Sequence, residues 1–178
     1  MDRLLTPSDF DNLGQLFEQT AVRWECQPAY RVDVEASAYA EFLAGVREPL
    51  GRYPFFAAWL EQIAAVTAAG RSVARIRVID DPPTPYQEWE MFVTPENSAA
   101  GEDIRYLPRS LSHQLGIPDA QDWWIFDGQR LCLMRFDDNG VPGGGRFTDE
   151  PALLERHLSW WRLAQQHAIG PNDLGKAP

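Results

Sequence analysis

Lysine is almost missing from this chain. One residue in 178, Lys176, carries an ammonium, and arginine supplies the rest of the sixteen basic side chains. Those bases form no run or stripe, and they stand against twenty-six acids for a net charge of −10. A surface of that sign repels phosphate backbones and anionic lipid heads, which argues against direct nucleic-acid binding and against electrostatic membrane attachment. No apolar run approaches the roughly 20 residues a membrane helix needs. The start, M-D-R-L-L-T-P-S-D-F, has no apolar core of signal-peptide length. The expected location is the cytoplasm. Cysteine is scarce as well: Cys26 and Cys132 are too few for a disulfide framework and form no C-x-x-C pair. Both read as buried strand thiols.

Catalytic motifs are equally thin. Of three histidines, His113, His157 and His167, no two have the i, i+4 spacing of a zinc-binding helix, and ten residues separate the last two, which puts them on different faces of one helix. No metal and no cofactor are expected. There is no G-x-S-x-G elbow, and neither cysteine opens a helix where a thiolate would be stabilised. G-V-P-G-G-G-R lacks the lysine and the spacing of a phosphate-binding loop and reads as a flexible connection, Val141 to Gly145. Paired acids abound (Glu88 and Glu90, Glu102 and Asp103, Asp137 and Asp138), but sequence proximity alone makes no acid/base pair. No residue is assigned a catalytic role, and a non-enzyme is the favoured reading.

What is present is enough for one core. Hydrophobic residues make up 44% and seven Trp are included, a length and content that fit one globular domain over residues 1–170 with a disordered tail, 171–178. Ser8 is placed to cap a helix with Phe10, Leu13, Leu16 and Phe17 on one face. Val22, Trp24 and Cys26, then Tyr30, Val32 and Val34, alternate with polar residues around Gln27-Pro28 and predict a hairpin. A helical pattern begins at Ser37. P-F-F-A-A-W-L-E-Q-I-A-A-V-T-A-A-G predicts a helix with Pro54 in its first turn and Gly70 beyond its end. S-V-A-R-I-R-V-I reads as a strand, Tyr86 to Val93 as a helix ending before Pro95, and Ile104 and Tyr106 as one face of a short strand. D-W-W-I-F-D-G-Q-R-L-C-L-M predicts a hairpin turning at Asp127-Gly128, with the Trp123 and Trp124 rings on opposite faces. Thr148 or Asp149 caps a last helix bearing Leu154, Leu158, Trp161 and Ala164. The fold class is α+β or mixed α/β, a central mostly antiparallel sheet with flanking helices.

Two arginines stand out. Arg75 and Arg77 lie two apart in a strand otherwise fit for the interior, so they share a face. An unpaired buried guanidinium is costly, so each must meet a carboxylate or a ligand. Glu90, Glu102 and Asp127 are the candidate partners. Two arrangements satisfy the requirement: a salt-bridge network across the sheet, or a cleft of mixed charge lined by Arg75, Arg77, Tyr86, Glu90, Glu102 and Arg105 and walled by Trp89 and Trp124. Such a cleft suits a small polar ligand or a partner's basic side chain.

Taken in order, these pieces resemble the actinobacterial domain-of-unknown-function 6879 family. The resemblance rests on A-V-R-W-E at Ala21 to Glu25, on A-A-G-R-S-V-A-R-I-R-V-I-D-D-P-P-T-P-Y-Q-E-W-E, on A-A-G-E-D-I-R-Y-L and on D-W-W-I-F-D. It runs nearly the whole length and is closest from Gly70 to Asp127. It implies an accessory or regulatory protein, encoded beside helix-turn-helix regulators, without established activity. The stretch G-E-D-I-R-Y-L-P-R, Gly101 to Arg109, is then a family signature in which Glu102 and Arg105 have a structural or a ligand-facing task. From Gly70 onward the chain is also similar to phospholipase-D-like domains, which implies a degenerate version of that fold: their H-x-K-x-x-x-x-D would need Lys at Leu115 and Asp at Ala120. The function expected is binding of a partner, such as a helix-turn-helix regulator, or of a small polar ligand. The alternative is a hydrolase or transferase acting on a phosphorylated or nucleotide-like compound, with Arg75 and Arg77 on the anion and Glu102 or Asp127 as acid/base.

Overall fold

A computed structural model describes residues 3–174. One seven-stranded sheet contains β1 (Arg3–Leu5), β2 (Thr20–Glu25), β3 (Ser72–Ile79), β4 (Asp103–Pro108), β5 (Trp123–Phe126), β6 (Arg130–Phe136) and β7 (Pro142–Thr148), ordered β1-β7-β6-β5-β2-β3-β4. β2, β3 and β4 run parallel and the other pairings are antiparallel, so the domain is α+β with a mostly antiparallel sheet. Parallel neighbours require crossovers. Helices α1 (Ala36–Leu43) and α2 (Pro54–Ala68) connect β2 to β3, and α3 (Pro85–Ala100) connects β3 to β4.

Both faces of the sheet are covered. On one, Ile63 and Val66 of α2 pack with Ala21, Val73, Trp124, Phe126 and Cys132, while Phe42, Phe56, Trp89 and Val93 join α1, α2 and α3. On the other, Trp161 and Ala164 of α5 (Pro151–His167) pack on Trp24, Ile76, Trp123 and Leu131, with Leu111 of α4 (Arg109–Gln114) beside them. The period of two therefore sends Trp123 and Trp124 to opposite faces, as expected, and both are buried. Cys26 and Cys132 are buried thiols, and burial raises the pKa of Cys132 to about 12.

Several local expectations are corrected. The N-terminal helix is a 3-10 segment, Pro7–Gln15, capped by Thr6 and not Ser8, because Asp9 Oδ2 accepts from the Thr6 N–H at 2.8 Å and from its hydroxyl at 2.7 Å. The hairpin across Gln27-Pro28 does not form. Both edges of β2 are taken, by β3 and β5, so Tyr30 to Val34 have no strand to pair with, and Asp33–Glu35 turn in a 3-10 segment. Helix α3 runs through Pro95 to Ala100, started by Thr84, which accepts from Gln87 N at 3.1 Å and ended by Gly101 at φ 113°. Tertiary packing of Trp89, Val93 and Asn97 along its buried face outweighs the proline's roughly 3 kcal/mol. The glycine run is strand β7, not a loop. A Cβ at Gly144 would collide with the Leu5 carbonyl and one at Gly145 with Cys132 Sγ, so glycine lets β1 and β6 close on it. Glu150 occupies the cap position of α5, and Thr148 Oγ1 accepts from its N–H at 3.2 Å. Of the tail, Pro171–Asp173 form a 3-10 turn and Leu174 packs on Ile79, Ile104 and Tyr106, while residues 175–178 lie outside the described residues. Among the described residues no helix is long and apolar enough to cross a membrane.

Candidate functional site

Strand register builds a charged floor in the middle of the sheet. Arg23 pairs with Arg75 on one side and with Trp124 on the other, and Glu25 pairs with Arg77 two residues on. The pleat turns all of them to the face covered by α2 and α3. Three guanidiniums and one carboxylate are thus planted side by side on a face of the sheet covered by helices, and sequence-distant acids complete their pairing.

Glu25 is the hub. Its Oε1 accepts from Arg23 Nε at 2.8 Å and Arg75 Nη1 at 2.7 Å, and its Oε2 accepts from Arg77 Nε at 2.9 Å. Burial alone would raise its pKa, but Arg75, Arg23 and Arg77 outweigh that and hold it well below the usual carboxylate range. Arg75 Nε also donates to Glu102 Oε1 at 2.8 Å, and Arg23 Nη2 donates to Asp122 Oδ2 at 3.2 Å. Arg77 Nη1 donates to the Glu90 carbonyl at 2.9 Å and to Thr94 Oγ1 at 3.0 Å. Tyr30 donates its hydroxyl to Asp122 at 2.7 Å. The network expected around Arg75 and Arg77 is present, with Glu90 and Glu102 as partners.

Above this floor lies a cavity of about 240 Å³, lined by Arg23, Glu25, Arg75, Arg77, Glu90 and Glu35 among its polar residues. Phe56, Trp59, Tyr86, Trp89, Trp124 and Phe136 supply aromatic walls. The guanidiniums of Arg23 and Arg75 stand 5.2 and 5.9 Å from the Trp124 ring centroid. The Glu90 carboxylate sits 3.4 Å from Arg77 Nε, a nitrogen already donated to Glu25. Burial pushes its pKa up to about 8; the pull of Arg77 and Arg75 is opposed by the repulsion of Glu25 and Glu35. Glu35 accepts the Tyr86 hydroxyl at 2.8 Å, yet burial keeps its pKa raised, and burial raises that of Asp122 too. Trp124 Nε1, Asn97 Oδ1 and Glu102 Oε2 are buried without a hydrogen-bond partner among the described residues. No group of three or more His, Cys, Asp or Glu among those residues could hold a metal ion.

Of the nine residues singled out from the sequence, Arg75, Arg77, Tyr86, Trp89, Glu90 and Trp124 meet at the cavity, and Glu102 stands behind Arg75 with its side chain fully buried. Two do not. Arg105 points away from this face and pairs with Asp103 at 3.2 Å on the sheet's edge strand, with 42% of its side chain exposed. Asp127 lies at the β5–β6 turn, where its carboxylate accepts from the backbone N–H groups of Glu18, Gln19 and Thr20 at 2.9, 2.7 and 3.0 Å. Burial opposes ionisation there, but those amides lower its pKa. Glu102 is the buried mate of Arg75, and the Gly101–Arg109 stretch divides into a buried acid, a strand and an exposed pair. Arg109 closes it by bonding Asp80 at 2.5 Å and Asp119 at 2.6 Å. His113, the first position of the phospholipase-D-like pattern, is exposed and bonded to Asp119.

Arg23, Glu25, Glu35, Tyr30 and Asp122 were missed. V-R-W-E carries the same signal as R-I-R, two charged residues on one strand face, but an alternating strand reads as half-exposed until its neighbours are known. Glu35, Tyr30 and Asp122 carry no local signal.

The sequence model of the family described as "Domain of unknown function (DUF6879)" matches residues 8–173. No curated protein matches the chain significantly.

Proposed function

From the premise that the chain belongs to the DUF6879 family, whose description names no activity, we propose that it is a binding protein and that the aromatic-walled cavity above the arginine–glutamate floor is its ligand site. In this reading it is a non-catalytic accessory or regulatory protein of the actinobacterial cytoplasm. In the cavity it binds a small polar ligand, or a side chain of a protein partner such as a helix-turn-helix regulator. One observation carries the reading: a cavity of about 240 Å³ holds ionisable groups at its base and aromatic rings at its walls. Ligand pockets combine an apolar lining with a few placed polar groups in this way. The volume bounds the part of a ligand that the cavity encloses. An apolar cavity of about 150 Å³ accepts benzene, so this one has room for a single ring or short chain with a head group.

A hydrolase or transferase reading has one observation in its favour, the Glu90 carboxyl, whose pKa near 8 suits proton transfer at neutral pH. The acid/base in that case is Glu90, because Glu102 is locked to Arg75 and Asp127 is remote. An anionic substrate fits poorly, since Arg23, Arg75 and Arg77 each already donate to carboxylates.

The test is retention of a small molecule. Protein purified from its source and examined by native mass spectrometry is expected to carry, or to recover from a metabolite extract, a species that Val93→Trp does not, because the larger side chain fills the cavity. If wild type and variant retain the same species, or none, the cavity is not a ligand site.

A further inference from the structure

The cavity's charge is unbalanced, and the imbalance names the class of ligand. Three guanidiniums, Arg23, Arg75 and Arg77, serve the floor. Glu25, Glu102 and Asp122 hydrogen-bond them, and Glu90 and Glu35 remain. Glu90 has only a 3.4 Å approach to a committed Arg77 nitrogen, and Glu35 only a tyrosine hydroxyl. Two carboxylates are thus in excess at a site walled by Trp and Tyr rings, Glu90 buried and Glu35 partly open to solvent. Buried charge must be paired or neutralised. With the cavity free of ligand a proton serves, which is the physical meaning of the raised pKa of Glu90. An anion would add uncompensated negative charge and compete with Glu25 for arginines already engaged.

Resting on the reading of the cavity as a ligand site, we infer that its ligand is an organic cation whose ammonium or guanidinium group, with about one ring of its body, is seated against Glu90 and Glu35 and among the aromatic walls. Aromatic faces attract such heads, quaternary ammonium included, and the cavity volume limits how much of the body is enclosed. The charged and titratable groups around Glu90 are Arg77, Arg75, Glu25, Glu35, Tyr30 and Tyr86. A cation arriving among them takes the place of the Glu90 proton, which leaves to solvent, so the ionised carboxylate and the ligand form one neutral pair.

The experiment compares three probes that share one benzyl group: benzyltrimethylammonium, benzyl alcohol and benzyl phosphate. Binding is followed by quenching of tryptophan emission, since Trp59, Trp89 and Trp124 line the cavity, and by titration calorimetry at pH 7 in two buffers of different ionisation enthalpy. Benzyltrimethylammonium is expected to bind at least tenfold more tightly than the alcohol, with release of a fraction of a proton, and benzyl phosphate to bind least. Glu90→Gln, which keeps the shape of the side chain, is expected to weaken the cation at least tenfold and leave the alcohol within twofold. If alcohol or phosphate matches or exceeds the cation, the inference is overturned and the ligand site stands. If no probe saturates, or all three bind Val93→Trp as they bind wild type, both fall. Should Glu90→Gln not fold, Glu35→Gln takes its place with the same expectation.

Discussion

Removing the charge of Glu25 is the most searching perturbation of this architecture. Glu25→Gln preserves the side chain's shape but points an amide at guanidiniums now lacking their shared anion. Arg23, Arg75 and Arg77 all depend on it, at 2.8, 2.7 and 2.9 Å, and the Glu25 side chain is only 8% exposed. Breaking a buried ion pair by deleting one partner costs about 3–5 kcal/mol. That is a large share of the roughly 5–15 kcal/mol of a whole domain. At a urea m-value of about 2 kcal/mol/M the unfolding midpoint should fall by about 1.5–2.5 M, and the melting temperature by roughly 6–20 °C for a chain of this size. The control is Asp103→Asn, which breaks the Asp103–Arg105 pair whose side chains are 53% and 42% exposed. It should cost under about 1 kcal/mol, less than about 0.5 M of urea. The pH course follows from the lowered pKa of Glu25: its contribution is whole above the unfolded carboxylate value and is lost as pH falls through the folded one, so the two proteins should converge in acid. A Glu25→Gln midpoint within 0.5 M of wild type at neutral pH would refute the claim that this carboxylate holds the floor together.

Glu90 predicts the reverse pH course. Its folded pKa of about 8 lies above the unfolded value, so between the two the native state keeps a proton that the unfolded chain has lost, and stability falls as pH rises through that window. Glu90→Gln should therefore match wild type near pH 4 and exceed it near pH 9 in urea midpoint; a constant difference across that range would count against the assignment. At the β5–β6 turn, Asp127→Ala strips three backbone N–H groups of their acceptor and puts a Cβ-bearing non-polar residue at φ 55°. A loss of about 2–4 kcal/mol is expected, with Asp127→Asn intermediate, read by chemical denaturation; equal stability of the alanine variant would sink it.

Much of the frame is local and so was legible in the residues. Pro54 and Gly70 bracket α2 because a first-turn proline and a positive-φ glycine are local requirements. Asp127-Gly128 turns β5 into β6 by the same logic, with φ values of 55° and 65°. The period of two placed Trp123 and Trp124 on opposite faces and showed that Arg75 and Arg77 share one, and burial energetics demanded acids for them. Which acids they meet depends on strand order, a long-range property. Tertiary structure alone decided that β2 lies in the interior of the sheet, so that Arg23 and Glu25, half-exposed by pattern, became the centre of the buried network. It also brought Asp122 and Glu35 to the cluster from distant segments, carried α3 past Pro95 and made a glycine run into β7. The division has one physical cause. Backbone preference and side-chain alternation act between near neighbours in sequence, whereas the pairing of charges and the space left empty above them exist only once distant strands lie side by side.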